Sequence, residues 1–323
     1  MNVAADPLIA AEAHELAASA TGELRELVDI SSPSGDIPGA ERSLAVCIGL
    51  LPEGAIVHRP ECSSPHHAPD LVGTVTGTGT RRMMLLGHVD TVVSHDAHAP
   101  LRRDGDRLYG PGTVDMKGGD ILALGVARML ARRPDTFAEL AVLMVTDEEW
   151  RTRPFVHAPR FAGYDACLCF EGGQLDNEGQ EGVVVRRKAA GTLRVLATGR
   201  ASHSGSAPDR GLNALLALAR TATSIVELHD PHGPEQLSAV PTVMRSGDAF
   251  NVVPAAGELI FDLRAQRLAA FDDVMAAVSA DLDGVTLEAR MERIWPGMDS
   301  TAVTGDLIAR AAQRLGRTIT GVP

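Results

Sequence analysis

The chain has 323 residues and a net charge of −12, with 45% hydrophobic, 22% charged and 3% aromatic residues. That apolar share suits one large or two ordinary domains with a sizeable core, which excludes disorder as the default. The acidic balance, without a long block of Lys or Arg, argues against nucleic acid or an anionic membrane as partner.

The four cysteines, Cys47, Cys62, Cys167 and Cys169, have no CxxC spacing. They are expected to be reduced core thiols of a cytoplasmic protein, with Cys167 and Cys169 alternating in a buried strand. No basic start leads into an apolar core and no stretch approaches a membrane span in length, so neither a signal peptide nor a membrane segment is expected.

In chain order, Asp6-Pro7 is a helix-start signal, and residues 8–30 place Leu16, Leu24, Leu27 and Val28 to cover a core. Ser31-Ser32-Pro33-Ser34-Gly35 ends that helix, and a second is expected over residues 40–51. Short strand signals at 55–58 and 71–76 lead to an apolar strand at 82–86 closed by Gly87. His88 and Asp90 follow at a spacing of two, which in extended backbone puts both on one face. The pair suits a metal-binding imidazole with an acceptor behind it that fixes its tautomer. HxD alone is nevertheless common at strand ends.

Tyr109-Gly110-Pro111-Gly112 then forces a turn, and Lys117-Gly118-Gly119 opens an apolar-periodic helix over 117–132, so Asp115 is expected beside a helix N-terminus. The apolar run 140–145 has strand length and delivers Asp147-Glu148-Glu149 at its carboxyl end, where open α/β sheets bind ligands. A further strand at 167–170 ends in Glu171-Gly172-Gly173.

From Val183 the pattern becomes that of an inserted domain, with strands at 183–188, 192–198, 239–245 and 258–264 and helices at 212–228 and 270–282. His203 lies in a Ser/Gly loop, Asn251 precedes Val252-Val253-Pro254, and Arg264 ends a strand two residues after Asp262. A strand-end arginine offers a planar fork for a carboxylate, or else forms a surface ion pair with Asp262 or Glu258. Trp295-Pro296-Gly297 marks a return to the first domain, and 304–315 reads as an amphipathic helix. His58, His66, His67, His95 and His98 form no ligand spacing and are read as loop residues.

Taken together, GHVDTV, GPGTVDMKGG, TDEE and GRASHSG resemble the di-zinc exopeptidases and deacylases, a family that includes glutamate carboxypeptidases, acetylornithine deacetylases, succinyl-diaminopimelate desuccinylases and aminoacylases. YGPG with DMKGG leans towards the glutamate carboxypeptidase branch. The resemblance implies an α/β catalytic domain over residues 1–182 and 293–323, C-terminally incomplete, with an inserted ferredoxin-like α+β lid and dimerisation domain over 183–292. It also implies a cis peptide between Asp115 and Met116.

By the same resemblance, His88, Asp115, Glu149 and Glu171 are metal ligands, with Asp115 bridging two zinc ions per subunit; the ligand set would also take cobalt or manganese. Glu148 is the general base, with Asp90 behind His88. His203 reaches the partner subunit's site in a homodimer, and Asn251 and Arg264 hold the substrate carboxylate. The implied reaction is hydrolysis of the amide of an N-acyl amino acid or small peptide next to a free carboxylate.

Two departures stand out. Trp150-Arg151-Thr152-Arg153-Pro154 replaces the small-residue turn that relatives place after the paired glutamates. In addition, relatives carry a Gly-x-x-x-His element beyond the point matching Pro323, whereas here no histidine follows His232. The second metal is then expected to have only Asp115 and Glu149, with weakened hydrolysis. An inactive dimeric binding or regulatory relative is the alternative reading.

Overall fold

The structure is a computed structural model, and it describes residues 7–323. Asp6 of the expected helix start lies outside the described residues. The chain packs as two units, residues 1–183 with 306–320, and residues 184–305 with 321–323.

In the first unit, α1 (Pro7–Val28) and α2 (Ile37–Gly49) precede β1 (Ile56–His58), β2 (Leu71–Thr76) and β3 (Arg82–His88). The short pair β4 (Arg102–Asp104) and β5 (Arg107–Tyr109) leads to α3 (Lys117–Ala131), β6 (Glu139–Val145), α4 (Ala158–Phe161) and β7 (Ala166–Cys169). The helix α2 starts three residues before its expected start because Asp36 caps it, its carboxylate accepting from the Gly39 N–H at 3.0 Å.

The main sheet has the order β1-β2-β6-β3-β7. The strands β3, β6 and β7 are parallel, while β2 is antiparallel to β6 with Leu71 opposite Met144. The start of β2 therefore lies at the same sheet edge as the carboxyl ends of β3, β6 and β7. Alternation along β6 splits its side chains between two cores. Val142 and Met144 join Leu27, Leu44, Leu85 and Leu124 under the helices, and Ala141, Leu143 and Val145 join Val72, Met84 and Phe161 on the other face.

One expectation fails here. Cys167 and Cys169 are exposed, as is Leu168, because β7 pairs only with β3 and forms an edge of the sheet. An apolar run of four marks a strand but does not distinguish a central one from an edge. Two short strands follow, β8 (Gln174–Leu175) and β9 (Glu181–Val184).

The second unit contains β10 (Arg186–Arg187), β11 (Ala189–Thr198), α5 (Ala214–Val226), β12 (Ser238–Ser246), β13 (Ala256–Ala265), α6 (Ala270–Ala276), β14 (Asp281–Leu282), β15 (Val285–Trp295) and β16 (Met298–Asp299). The antiparallel sheet order β12-β13-β11-β15-β14, with α5 and α6 as crossovers, is the βαββαβ ferredoxin-like arrangement. Leu193, Val195, Leu259, Phe261 and Leu263 pack with Leu218, Ile225, Phe271 and Val274 of the two helices.

Two further expectations are corrected. The helix expected to reach residue 282 stops at Ala276, because Asp281 and Leu282 pair with Thr286 and Val285 around a turn with Asp283 and Gly284 at positive φ. Residues 296–299 do not leave the second unit, because Met298 and Asp299 pair with Arg187 and Arg186. The elements α7 (Thr301–Leu315) and β17 (Ile319–Val322) follow. Among the described residues, no helix is long and apolar enough to cross a membrane.

Candidate metal centre

Three parallel strands deliver their following residues to one edge of the first unit's sheet. His88 ends β3, Glu148 and Glu149 follow β6, and Glu171 follows β7. Asp115 comes from the turn before α3, and its peptide bond to Met116 is cis, as the resemblance implied.

Gly119 lets the start of α3 approach the end of β7. A Cβ there would stand 1.9 Å from the Phe170 carbonyl oxygen, so no larger residue fits without moving backbone. Lys117 fixes the same helix start from the other side. It is fully buried, and its Nζ donates to the carbonyls of Leu27 at 3.1 Å and Ile30 at 2.7 Å. Burial pushes its pKa down to about 8.

The His88 ring, 1% exposed, has Nδ1 at 3.0 Å from the Asp90 carbonyl oxygen and 3.3 Å from Asp90 Oδ1. Both are acceptors, so Nδ1 carries the proton and Nε2 presents its lone pair. That lone pair faces Asp115 Oδ1 at 3.0 Å, Glu171 Oε1 at 3.3 Å and Glu148 Oε2 at 4.0 Å. Lone pairs converging in this way repel unless a cation sits among them. Burial alone would lower the pKa of His88, but Asp115, Asp90 and Glu171 outweigh it and drive the pKa far up.

A divalent ion fits the same place. One donor atom from each of His88, Asp115 and Glu171 lies within 4.8 Å of the others, a nitrogen and two carboxylate oxygens suited to a borderline metal.

Asp90 is also 1% exposed, and it supports more than the histidine. Its Oδ1 accepts from the Glu148 N–H and its Oδ2 from the Glu149 N–H, both at 3.1 Å, so one buried carboxylate orients the ends of β3 and β6 together. Burial would raise its pKa, but His88 holds it below the usual carboxylate range.

Burial pushes the Glu148 carboxyl up, in the direction that favours taking a proton. Glu149 is pushed up to about 7, first by burial and then by the charge of Asp115, which marks these two acids as neighbours competing for positive charge.

His203, Asn251 and Arg264 belong to the second unit. The His203 loop pairs with the 249–253 segment: the Ser204 N–H donates to the Asn251 carbonyl at 3.0 Å, and the Val253 N–H to the Ser202 carbonyl at 2.9 Å. His203 and Asn251 are thereby brought side by side. His203 Nδ1 accepts from the N–H groups of Gly205 and Ser206, both at 3.1 Å, which leaves Nε2–H as an exposed donor. Arg264 lies in the ion pair that was its other reading, with two nitrogens at 3.1 Å from the Asp262 oxygens.

Several residues that hold this edge escaped the sequence reading. Asp147, fully buried, accepts from the Ser64 N–H at 2.8 Å and from Arg151 Nε at 3.3 Å. Asp70, also fully buried, accepts from the Thr146 N–H and lies 2.8 Å from His157 Nε2. For Asp147, the signal was its place at the end of an apolar strand. No local pattern marks Asp70 or His157, which are 87 residues apart.

Comparison with known proteins places these features. Residues 185–290 match the model of a peptidase dimerisation domain. The chain is 30% identical over 260 residues to carboxypeptidase G2 of Pseudomonas sp. (strain RS-16), covering 78% of this chain and 61% of that protein. It is 32% identical over 206 residues to a succinyl-diaminopimelate desuccinylase of Halorhodospira halophila, covering 58% of this chain and 54% of that one. This chain thus spans less than two thirds of either relative's length. In fold it resembles an M20 family metallo-carboxypeptidase of Sulfolobus solfataricus, with a TM-score of 0.72 at 15% identity over 94% of this chain and 85% of that one.

Proposed function

We propose that this chain is a member of the M20 family of metallopeptidases and deacylases and a metal-dependent hydrolase of the amide bond in N-acyl amino acids or small peptides. The observation that carries the proposal is the His88 Nε2 lone pair aimed at the carboxylates of Asp115 and Glu171.

His88, Asp115 and Glu171 would hold the first divalent ion, and Asp115 with Glu149 would contribute to a second. Zinc suits the donors best, with cobalt and manganese as the other fits. When bound, the metal supplies polarisation of the scissile carbonyl and a lower pKa for an attacking water.

The chain's own residues do the rest. Glu148 takes a proton from the attacking water and returns it to the departing amine, which its raised pKa favours. Asp90 holds the Glu148 backbone and the His88 ring in one frame. His203 offers Nε2–H to the oxyanion that develops on the carbonyl, from the partner subunit of a homodimer formed through the second unit. Asn251 and Arg264 bind the free carboxylate, for which Arg264 must exchange its pairing with Asp262.

The test is metal analysis by mass spectrometry with hydrolysis of an N-acyl amino acid panel, before and after chelation and after re-addition of zinc. Activity that is lost and restored with the metal supports the reading. Bound metal without hydrolysis of any member would return the binding or regulatory alternative.

A further inference from the structure

A cavity of about 380 Å3 opens beside the metal ligands in the first unit, between α1, the start of α3 and the segment after β7, and the mechanism above does not use it. Four of its lining positions, Gly118, Gly119, Gly172 and Gly173, carry no side chain to fill it. At three of them none could be added without a shift. A Cβ would stand 2.3 Å from the Thr113 carbonyl oxygen at Gly118, 1.9 Å from that of Phe170 at Gly119, and 2.8 Å from Val114 Cγ1 at Gly172. The space is more than twice the ~150 Å3 that holds a benzene ring, and it lies within the ~300–1,000 Å3 of small-molecule sites.

The lining decides what such a ligand can be. Leu24, Leu108, Val114, Ile121, Leu122 and Phe170 make it apolar, and Glu171 is the one charged side chain among the lining residues. The neighbouring Lys117 offers nothing, because its Nζ is committed to the carbonyls of Leu27 and Ile30. A carboxylate placed here would lose its water beside another acid and find no cation. Val114 is 69% exposed and Leu122 46% exposed. Single exposed apolar residues need no explanation, but two on the wall of one apolar hollow form a surface that a ligand would cover. The hollow also reaches the metal position. Glu171 lines it and has Oε1 at 3.3 Å from His88 Nε2, while Val114 directly precedes Asp115.

We propose that this hollow receives the acyl chain of the substrate, and that preferred substrates carry an uncharged aliphatic acyl group longer than acetyl. The inference rests on the hydrolase reading. An amide carbonyl held at the metal position has two arms; the arm with the free carboxylate goes to Asn251 and Arg264, which leaves the acyl arm beside Glu171. A succinyl group, which ends in a carboxylate, is a poor fit to this wall.

The test compares N-acetyl-, N-butyryl-, N-hexanoyl- and N-succinyl-L-alanine. Dissociation constants are measured by calorimetry on the zinc-loaded Glu148→Gln protein, and kcat and KM on the zinc-loaded wild type. From acetyl to hexanoyl, affinity is expected to rise by up to about fourfold for each methylene buried, with KM falling in step. The heat capacity change of binding should become more negative along the same series. The succinyl compound should bind more weakly than the butyryl one, which has the same number of acyl carbons. Ala20→Phe, which fills the hollow, should level the series. Leu122→Asn, at a half-exposed wall position that tolerates a polar group, should reduce its slope. Both variants should leave the acetyl compound and its kcat unchanged.

Equal binding of the three aliphatic compounds overturns the acyl site, as does a slope that survives in both variants or a succinyl compound that binds tighter than the butyryl one. The two readings fail separately. A rising series in binding without turnover of any compound sinks the hydrolase and leaves the acyl site, and turnover of all at equal KM does the reverse.

Discussion

The metal-ligand edge of the first unit and the loops of the second unit present their polar groups in opposite ways. At the edge, His88, Asp90, Asp70 and Asp147 are each at most 1% exposed, and each is bonded to backbone or to another buried group. In the second unit, His203 is exposed, Asn251 is half-buried, and Arg264 lies on the surface with its side chain 52% exposed. Groups that must be fixed within fractions of an ångström are set in a buried polar network, whose partial loss is costly. Groups that meet a substrate stand on loops held by backbone pairing and cost the fold little.

The sharpest way to break this comparison is Glu148→Gln. The side chain is 46% exposed and makes no structural bond of its own, since Asp90 holds only its backbone N–H. Turnover should fall by about 10²–10⁴, the span of a lost general base, with metal content and melting temperature unchanged. Retained turnover in a steady-state assay would remove Glu148 from the mechanism.

Next in size is Asp90→Ala. It strips the N–H groups of Glu148 and Glu149 and the His88 ring of their shared acceptor, and it should cost roughly 3–5 kcal/mol in urea unfolding. Zinc affinity should fall about 10–100-fold, as when the group behind a ligating histidine is lost. Asp90 itself has a depressed pKa in the folded state, so its contribution is present above the unfolded carboxylate value and is lost as pH falls. In apoprotein, acid should therefore destabilise wild type more than Asp90→Ala.

His203→Ala and Arg264→Ala test the other side. Each should change stability by no more than about 0.5 kcal/mol, as surface substitutions do. His203→Ala should lower kcat more than it weakens substrate binding, and Arg264→Ala should chiefly raise KM. A drop in melting temperature that rivals Asp90→Ala would erase the distinction between the two regions.

How much of this was legible follows the same division. His88, Asp115, Glu148, Glu149 and Glu171 stand out because each ends an apolar strand or precedes a glycine-marked helix, and local pattern exposes such positions. The role of Asp90 as a clamp on the β6 end is invisible at HxD spacing, since its partners lie 58 and 59 residues away. By contrast, β15 alternates Val285, Leu287, Ala289 and Met291 with charged or polar neighbours, a period of two that is legible locally. Cys167 and Cys169 are exposed rather than buried because edge position is set by strand order, which no window of residues contains.

The smallest effect is expected at Asp120, where the buried network is incomplete. The residue is fully buried in α3, and neither carboxylate oxygen has a hydrogen-bond partner. Burial pushes its pKa well up, with Glu171 and Asp90 adding to that against the opposing pull of His88 and Lys117. The folded state therefore holds a proton that the unfolded chain releases above the ordinary aspartate value of about 3.9, and the stability gained from that proton is lost as pH rises towards the folded value. Asp120→Asn keeps the shape, which the site demands because Oδ1 lies where a Cβ on Gly87 would be, and it removes the ionisation. The variant should melt above wild type at pH 8, by about 2–4 °C for each kcal/mol recovered, and the gap should close towards pH 5. A gap that does not vary with pH, or a wild type that is the more stable at pH 8, would mean that Asp120 is ionised and paired in the folded protein, and that the edge has no unsatisfied acid.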